Sequence, residues 1–141
     1  MRLCIPNRLE DVFQALEHAD TTLGRAEVDD ACRADVRLVL EELLVNTVRH
    51  GYPDGRRGTI EIKLEARTDA VRLELRDDGQ PFNPLEQEPP DLPGDLADRE
   101  VGGLGLHLAR SIASGFEYAR DARGNRVVVR FDPSPPDEPT P

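Results

Sequence analysis

Tryptophan is absent from this chain of 141 residues, aromatic residues make up 4% of it, and only two cysteines occur. Cys4 and Cys32 stand far apart, and His18, His50 and His107 are equally scattered. Neither set has the close pairwise spacing of a zinc site, so no metal cluster is expected and both cysteines read as reduced, buried packing residues. No run of about 18 apolar residues exists, which leaves nothing to span a membrane. The opening MRLCIPNRLEDVF lacks the basic and apolar segments of a secretory leader, so a cytoplasmic location is expected. Basic excess is missing as well: 18 Lys and Arg stand against 28 Asp and Glu, a formal charge of −10. An acidic surface repels phosphate backbones, so direct binding to nucleic acid is not expected, and with no spanning run no membrane partner is expected either.

What remains is an ordinary soluble composition, long enough for one domain with a real core. Arg2 to Ile5 alternates weakly, as a short strand does. Leu9 to Leu23 then carries Val12, Phe13, Leu16 and Leu23 at near-helical spacing. Asp29 and Asp30 can cap a longer helix reaching His50, with Val36, Leu40, Leu43, Leu44 and Thr47–Val48 as its inward stripe, and GYPDG stops it. The period then drops to two. Ile60, Ile62 and Leu64 share one face, as do Val71, Leu73 and Leu75 after a short turn, which predicts an antiparallel pair. Residues 79–101 break every period, with five prolines and six acids against one arginine between Gln80 and Val101. A long aperiodic loop inside a small domain is functional or disordered. A helix follows at about Leu104 to Ala113, then two strands joined at DARGN. The proline-rich acidic end, 132–141, reads as a disordered tail, leaving 1–131 as the domain. The order β-α-α-β-β-loop-α-β-β predicts an α+β two-layer sandwich, with helices on one face of a mostly antiparallel mixed sheet.

Three stretches invite chemistry. In LEELLVNTVRHGY, Glu42 and Asn46 are four apart and project from one helix face. Glu41 lies one position off and reads as a solvated partner of Arg37. Glu42 sits among Leu38, Leu43 and Val45, where a carboxylate is costly unless it has a task or a partner. In LELRDDGQPF, a strand ends in Asp77, Asp78 and Gly79, which could be an ordinary turn or a place where a flat ligand meets the backbone. In VGGLGLHLARS, glycines open an amphipathic helix, although glycine costs about 1 kcal/mol relative to alanine within one. The free amides of a helix start bind anions, and glycines let a phosphate approach them. Tight packing would explain the glycines equally well. No Gly-Lys-Ser/Thr follows, so this is not a Walker A loop, and no strand feeds straight into it as a dinucleotide fold requires.

In this order and spacing, the three resemble the GHKL ATPase superfamily, named for gyrase, the heat-shock chaperone, histidine kinases and the MutL repair protein. EELLVNTVRHGY, DDGQPFNP and GGLGLHLARS look most like the small bacterial anti-sigma-factor serine kinases of RsbW type. The resemblance implies the Bergerat fold of the histidine-kinase-like ATPases, and ATP with Mg²⁺ as ligands. It implies that Asn46 holds the metal on the phosphates and that Glu42, one turn before it, is the general base. Asp77 would take the adenine amino group, with Gly79 letting the base lie against the backbone. Gly103, Leu104, Gly105 and Leu106 would face the phosphates, and the segment near 83–101 would be the lid. Phe82 is an apolar cover for the nucleotide or a core residue. The Asp-x-Gly-x-Pro-Phe form departs from the fuller Asp-x-Gly-x-Gly of many histidine kinases and fits the anti-sigma branch.

The function so implied is a serine/threonine protein kinase of a partner-switching system, phosphorylating a STAS-type anti-anti-sigma protein and sequestering a sigma factor, as a homodimer. Glu42 would accept the proton of a serine hydroxyl or of a water. The alternative is a non-catalytic, nucleotide-dependent binding switch. No helix pair carries a phosphoacceptor histidine, so autophosphorylation on histidine is not expected.

Overall fold

A computed structural model describes residues 1–86 and 103–134 of the chain. Strand β1 (Arg2–Pro6) leads into helices α1 (Leu9–Arg25) and α2 (Asp30–His50), followed by β2 (Thr59–Ala66) and β3 (Val71–Asp77). Helix α3 (Gly103–Ile112) then precedes β4 (Gly115–Asp121) and β5 (Gly124–Phe131). The five strands form one sheet in the order β1-β2-β3-β5-β4, and all four pairings are antiparallel. The expected α+β sandwich is therefore present, and each described strand pair is of the hairpin-compatible kind.

The alternation read in the sequence sets the inner face. Ile60, Ile62 and Leu64 of β2, Leu73 and Leu75 of β3, and Val129 and Phe131 of β5 are buried against the helices. The pleat that turns these residues inward sends their neighbours outward. Arg72, Glu74, Arg76 and Arg126 thus share the opposite face. Glu74 is buried there, and burial alone would raise its pKa. The bond from Arg126 and the charges of Arg126, Arg72 and Arg76 outweigh that and hold it below the ordinary carboxylate value.

Asp29 caps α2 by accepting the Cys32 amide at 3.1 Å, satisfying one of the orphan donors of the first turn. Val36, Val39, Leu40 and Leu44 of this helix are completely buried. Two packing expectations fail. Phe13 is 58% exposed, because the inward face of α1 is Val12, Ala15, Leu16, Ala19 and Leu23. Two alanines let α1 lie close to its neighbours, and that rotation turns the phenylalanine out. Cys4 is exposed, since β1 points Ile5 inward and its neighbours away. Cys32 is buried as expected, its thiol pushed up to about 11 by burial first and by Asp29, Asp35 and Asp132 after it. Such a thiol is unreactive at neutral pH.

Residues 132–134 follow β5 directly. Pro133 is buried, and the Ser134 amide donates to the capping Asp29 at 3.0 Å. The rest of the expected tail, 135–141, lies outside the described residues. Among the described residues, no helix is long and apolar enough to cross a membrane.

Candidate functional site

The C-terminal half of α2 carries the first two candidates. Asn46 is 7% exposed, and its Nδ2 donates to the main-chain oxygen of Glu42 at 2.6 Å. A carbonyl can only accept, so this contact fixes which end of the amide is nitrogen. Oδ1 is left as an acceptor with no donor among the described residues. Glu42 is half-buried, and its Oε2 is a buried oxygen without a hydrogen-bond partner among the described residues. Burial pushes the Glu42 pKa up, Glu41 adds to the rise, and Arg49 opposes it. Glu41 itself is exposed, as its position in the sequence suggested. One turn of helix thus presents an unpartnered carboxylate oxygen and an oriented amide oxygen.

The end of β3 is built in the opposite manner. Asp77 Oδ1 accepts from the Gly79 amide at 2.9 Å and from Asn125 Nδ2 at 3.0 Å. Burial raises the Asp77 pKa, while the bonds from Asn125 and Gly79 pull it down. Gly79 is held against α2: a Cβ there would stand 2.6 Å from the Gly51 carbonyl oxygen. The Gln80 amide donates to that same oxygen at 2.8 Å. Gly79 is bare because two backbones meet there, whatever else approaches it. Gly124 is equally constrained, with φ at +120° and a Cβ position 2.0 Å from the Asp77 carbonyl oxygen.

Asp78 is more than a solvated turn acid. It accepts the Tyr52 hydroxyl at 2.6 Å, and Arg56 donates to its carboxylate while lying over the Tyr52 ring. These bonds, Tyr52's foremost, hold the Asp78 pKa below its ordinary value. The GYPDG segment after α2 is thereby tied to the end of β3.

Thr47, Gly51, Asp77, Phe82, Pro84, Asn125 and Val127 enclose a cavity of about 10 Å³, the room of roughly one water. Phe82 stacks on His50 with ring centroids 5.2 Å apart, and Pro84 begins a short 3-10 turn over Pro84–Glu86. Phe82 thus packs on His50 and lines the same small cavity as Asp77.

Helix α3 begins at Gly103 and packs against α2, with Ala109 completely buried. Its first turn, Gly103 to Leu106, has the unpaired main-chain amides of any helix start. Gly102 and the expected lid from residue 87 onward lie outside the described residues. The sequence reading missed Asn125, Tyr52 and Arg120. Asn125 pairs with Asp77 across β3 and β5, strands not adjacent in sequence, so only the strand order could have revealed it.

Comparison with known proteins places this arrangement. The model of the histidine kinase-like ATPase domain family matches residues 5–131. The serine/threonine-protein kinase BtrW of Bordetella bronchiseptica is 28% identical over 103 residues, 73% of this chain and 72% of that protein. The anti-sigma F factor of Clostridium beijerinckii is 26% identical over 97 residues, 68% of each chain. The serine-protein kinase RsbW of Bacillus subtilis is 28% identical over 83 residues, 55% of this chain and 51% of that one. A crystal structure of the RsbU and RsbW domains of a Mycobacterium tuberculosis protein superposes with a TM-score of 0.64 at 19% identity. It covers 96% of this chain, which spans about a third of that longer one (33%), and at this identity it speaks for the fold.

Proposed function

The chain belongs to the histidine kinase-like ATPase domain family, and on that premise we propose that it is an ATP-dependent serine/threonine kinase of a partner-switching system. Its protein substrate would be a STAS-type anti-anti-sigma protein, and its second partner a sigma factor that it sequesters. The names of its relatives, RsbW and BtrW kinases and anti-sigma F factors, support this reading. Residues 1–131 would form the ATPase domain, acting in the cytoplasm as a homodimer.

The observation that carries the catalytic half is the unpartnered Oε2 of Glu42 beside the oriented amide of Asn46. A buried polar atom without a partner costs about 1–3 kcal/mol. That cost is offset if the atom receives a proton or donor during the reaction. Asn46 Oδ1 suits Mg²⁺, a hard cation that prefers oxygen ligands, and the residues present fit it. Bound Mg²⁺ supplies charge neutralisation on the nucleotide phosphates. Glu42, made more basic by burial, takes the proton of the attacking serine hydroxyl. Main-chain amides of Gly103–Leu106 stabilise phosphate charge at the start of α3. Asp77 holds the amino edge of adenine through Oδ2, because its Oδ1 is already occupied. Phosphoryl transfer asks mainly for alignment and charge stabilisation, which this set provides.

The test is incubation with Mg-ATP and STAS-type proteins from the same organism, read by mass spectrometry for phosphoserine. Stoichiometric phosphoserine is the expected result. ATP-dependent partner binding without phosphoserine would replace the kinase with a nucleotide-gated binding switch.

A further inference from the structure

Asn125 is 3% exposed and makes more polar contacts than the site's reacting residues do. Its Nδ2 donates to Asp77 Oδ1 at 3.0 Å and to the Gln80 carbonyl at 2.8 Å. Its Oδ1 accepts from Arg120 Nη1 at 3.1 Å, from the Tyr118 hydroxyl, and from the Phe82 amide at 3.5 Å. The same Arg120 nitrogen donates to the Gly79 carbonyl at 3.1 Å. Asp77, Asn125 and Arg120 are successive neighbours across β3, β5 and β4.

A side-chain amide can rotate by half a turn with almost no change in shape, so its partners decide which end faces where. The Tyr118 hydroxyl can donate or accept and therefore decides nothing. Arg120 can only donate, and the Gln80 carbonyl can only accept. These two, with the Phe82 amide as a longer second donor, force the oxygen toward β4 and the nitrogen toward Asp77. Asp77 Oδ1 is then saturated by Asn125 and Gly79, and no donor reaches Oδ2 among the described residues. Oδ2 is therefore an acceptor still open to a donor, on a residue that lines the cavity.

We propose that Arg120 and Asn125 are positioning residues that set base preference, making Asp77 a reader of an exocyclic amino group rather than of a carbonyl. The inference rests on the nucleotide site proposed above and extends it to residues on the edge strand. With the amide reversed, its oxygen would face Asp77 Oδ1, an arrangement tolerable only with a proton between them. That one proton sits on the Oδ1 side, so Oδ2 of the neutral acid would attract an amino group less, and repel a 6-carbonyl less, than the carboxylate does, and the preference would narrow. Arg120 holds the site away from that state.

The test compares ATP with inosine triphosphate, which replaces the 6-amino group by a carbonyl, using calorimetric Kd values. The wild type is expected to favour ATP by at least about 30-fold, the equivalent of one buried polar mismatch. Arg120→Met should narrow the ratio about fivefold or more, and Arg120→Lys, which still donates, should restore most of it. Asn125→Asp, which can only accept toward Asp77, should narrow it further. Arg120 is exposed on an edge strand, so its variants carry the test even where Asn125→Asp fails to fold. An unchanged ratio in Arg120→Met, with both affinities falling together, is the signature of a merely structural role and overturns the proposal. Equal binding of both nucleotides by the wild type overturns it while sparing the nucleotide site. Binding of neither overturns the site and this proposal with it.

Discussion

Glu42 on α2 and Asp77 on β3 are two carboxylates that burial pushes the same way, set in opposite surroundings. Asp77 is held by two donors on one oxygen, and one of those donors, Asn125, is itself held by Arg120 and Tyr118. Glu42 has a buried oxygen with no hydrogen-bond partner among the described residues. The difference separates two tasks. A group that recognises a ligand gains from being fixed before the ligand arrives. A group that must take up a proton gains from being left free and from a raised pKa. The Asp77 end is held by several hydrogen bonds, and the Glu42 end is left incomplete among the described residues, as the proposed roles of base recognition and proton uptake require.

That contrast can be broken from either side. The largest effect on folding should come from Gly124→Ala, which forces a Cβ to within 2.0 Å of the Asp77 carbonyl oxygen at a φ that side chains avoid. A cost of about 3 kcal/mol, or a fall in Tm of about 10 °C, is expected in a thermal melt. Next comes Asp77→Asn, which removes the acceptor at Oδ2. ATP affinity should drop by about 10- to 100-fold in a calorimetric titration, with the fold retained. The smallest effect has the opposite sign. Glu42→Gln should raise Tm by about 1–3 °C at neutral pH. Its sign follows from linkage: a folded pKa above the unfolded one means the charged form is penalised in the fold. The gain should therefore be present above the raised pKa and vanish as pH falls below the ordinary glutamate value. A drop in Tm at neutral pH would mean that Glu42 has a stabilising partner after all.

The sheet and the helix boundaries were legible because a period of two and a period of 3.6 each leave a plain record in apolar residues. Phe13 misled for the same reason: large apolar residues dominate such a reading, whereas two alanines set the buried face of α1. Cys4 was misplaced because β1 is short: Leu3 and Ile5 share its inner face, and Cys4 between them points out. Within the site, Glu42, Asn46, Asp77 and Gly79 stood out as motifs along the chain. Asn125 and Arg120 did not, since their role depends on β5 inserting between β3 and β4. Nothing local announces a long-range strand order. The glycines at 103 and 105 keep their expected place at a helix start, and the bare backbone at Gly79 has a concrete cause in the Gly51 carbonyl.

The central claim is that the unpartnered carboxylate of Glu42 is the base and takes no part in holding nucleotide. Single-turnover transfer from ATP to the serine partner, measured for wild type and Glu42→Gln with ATP affinity determined separately, tests it directly. The predicted result is a loss of transfer of about 10²- to 10⁴-fold, with ATP affinity within about threefold of wild type. Transfer retained at the wild-type rate in Glu42→Gln would contradict the account.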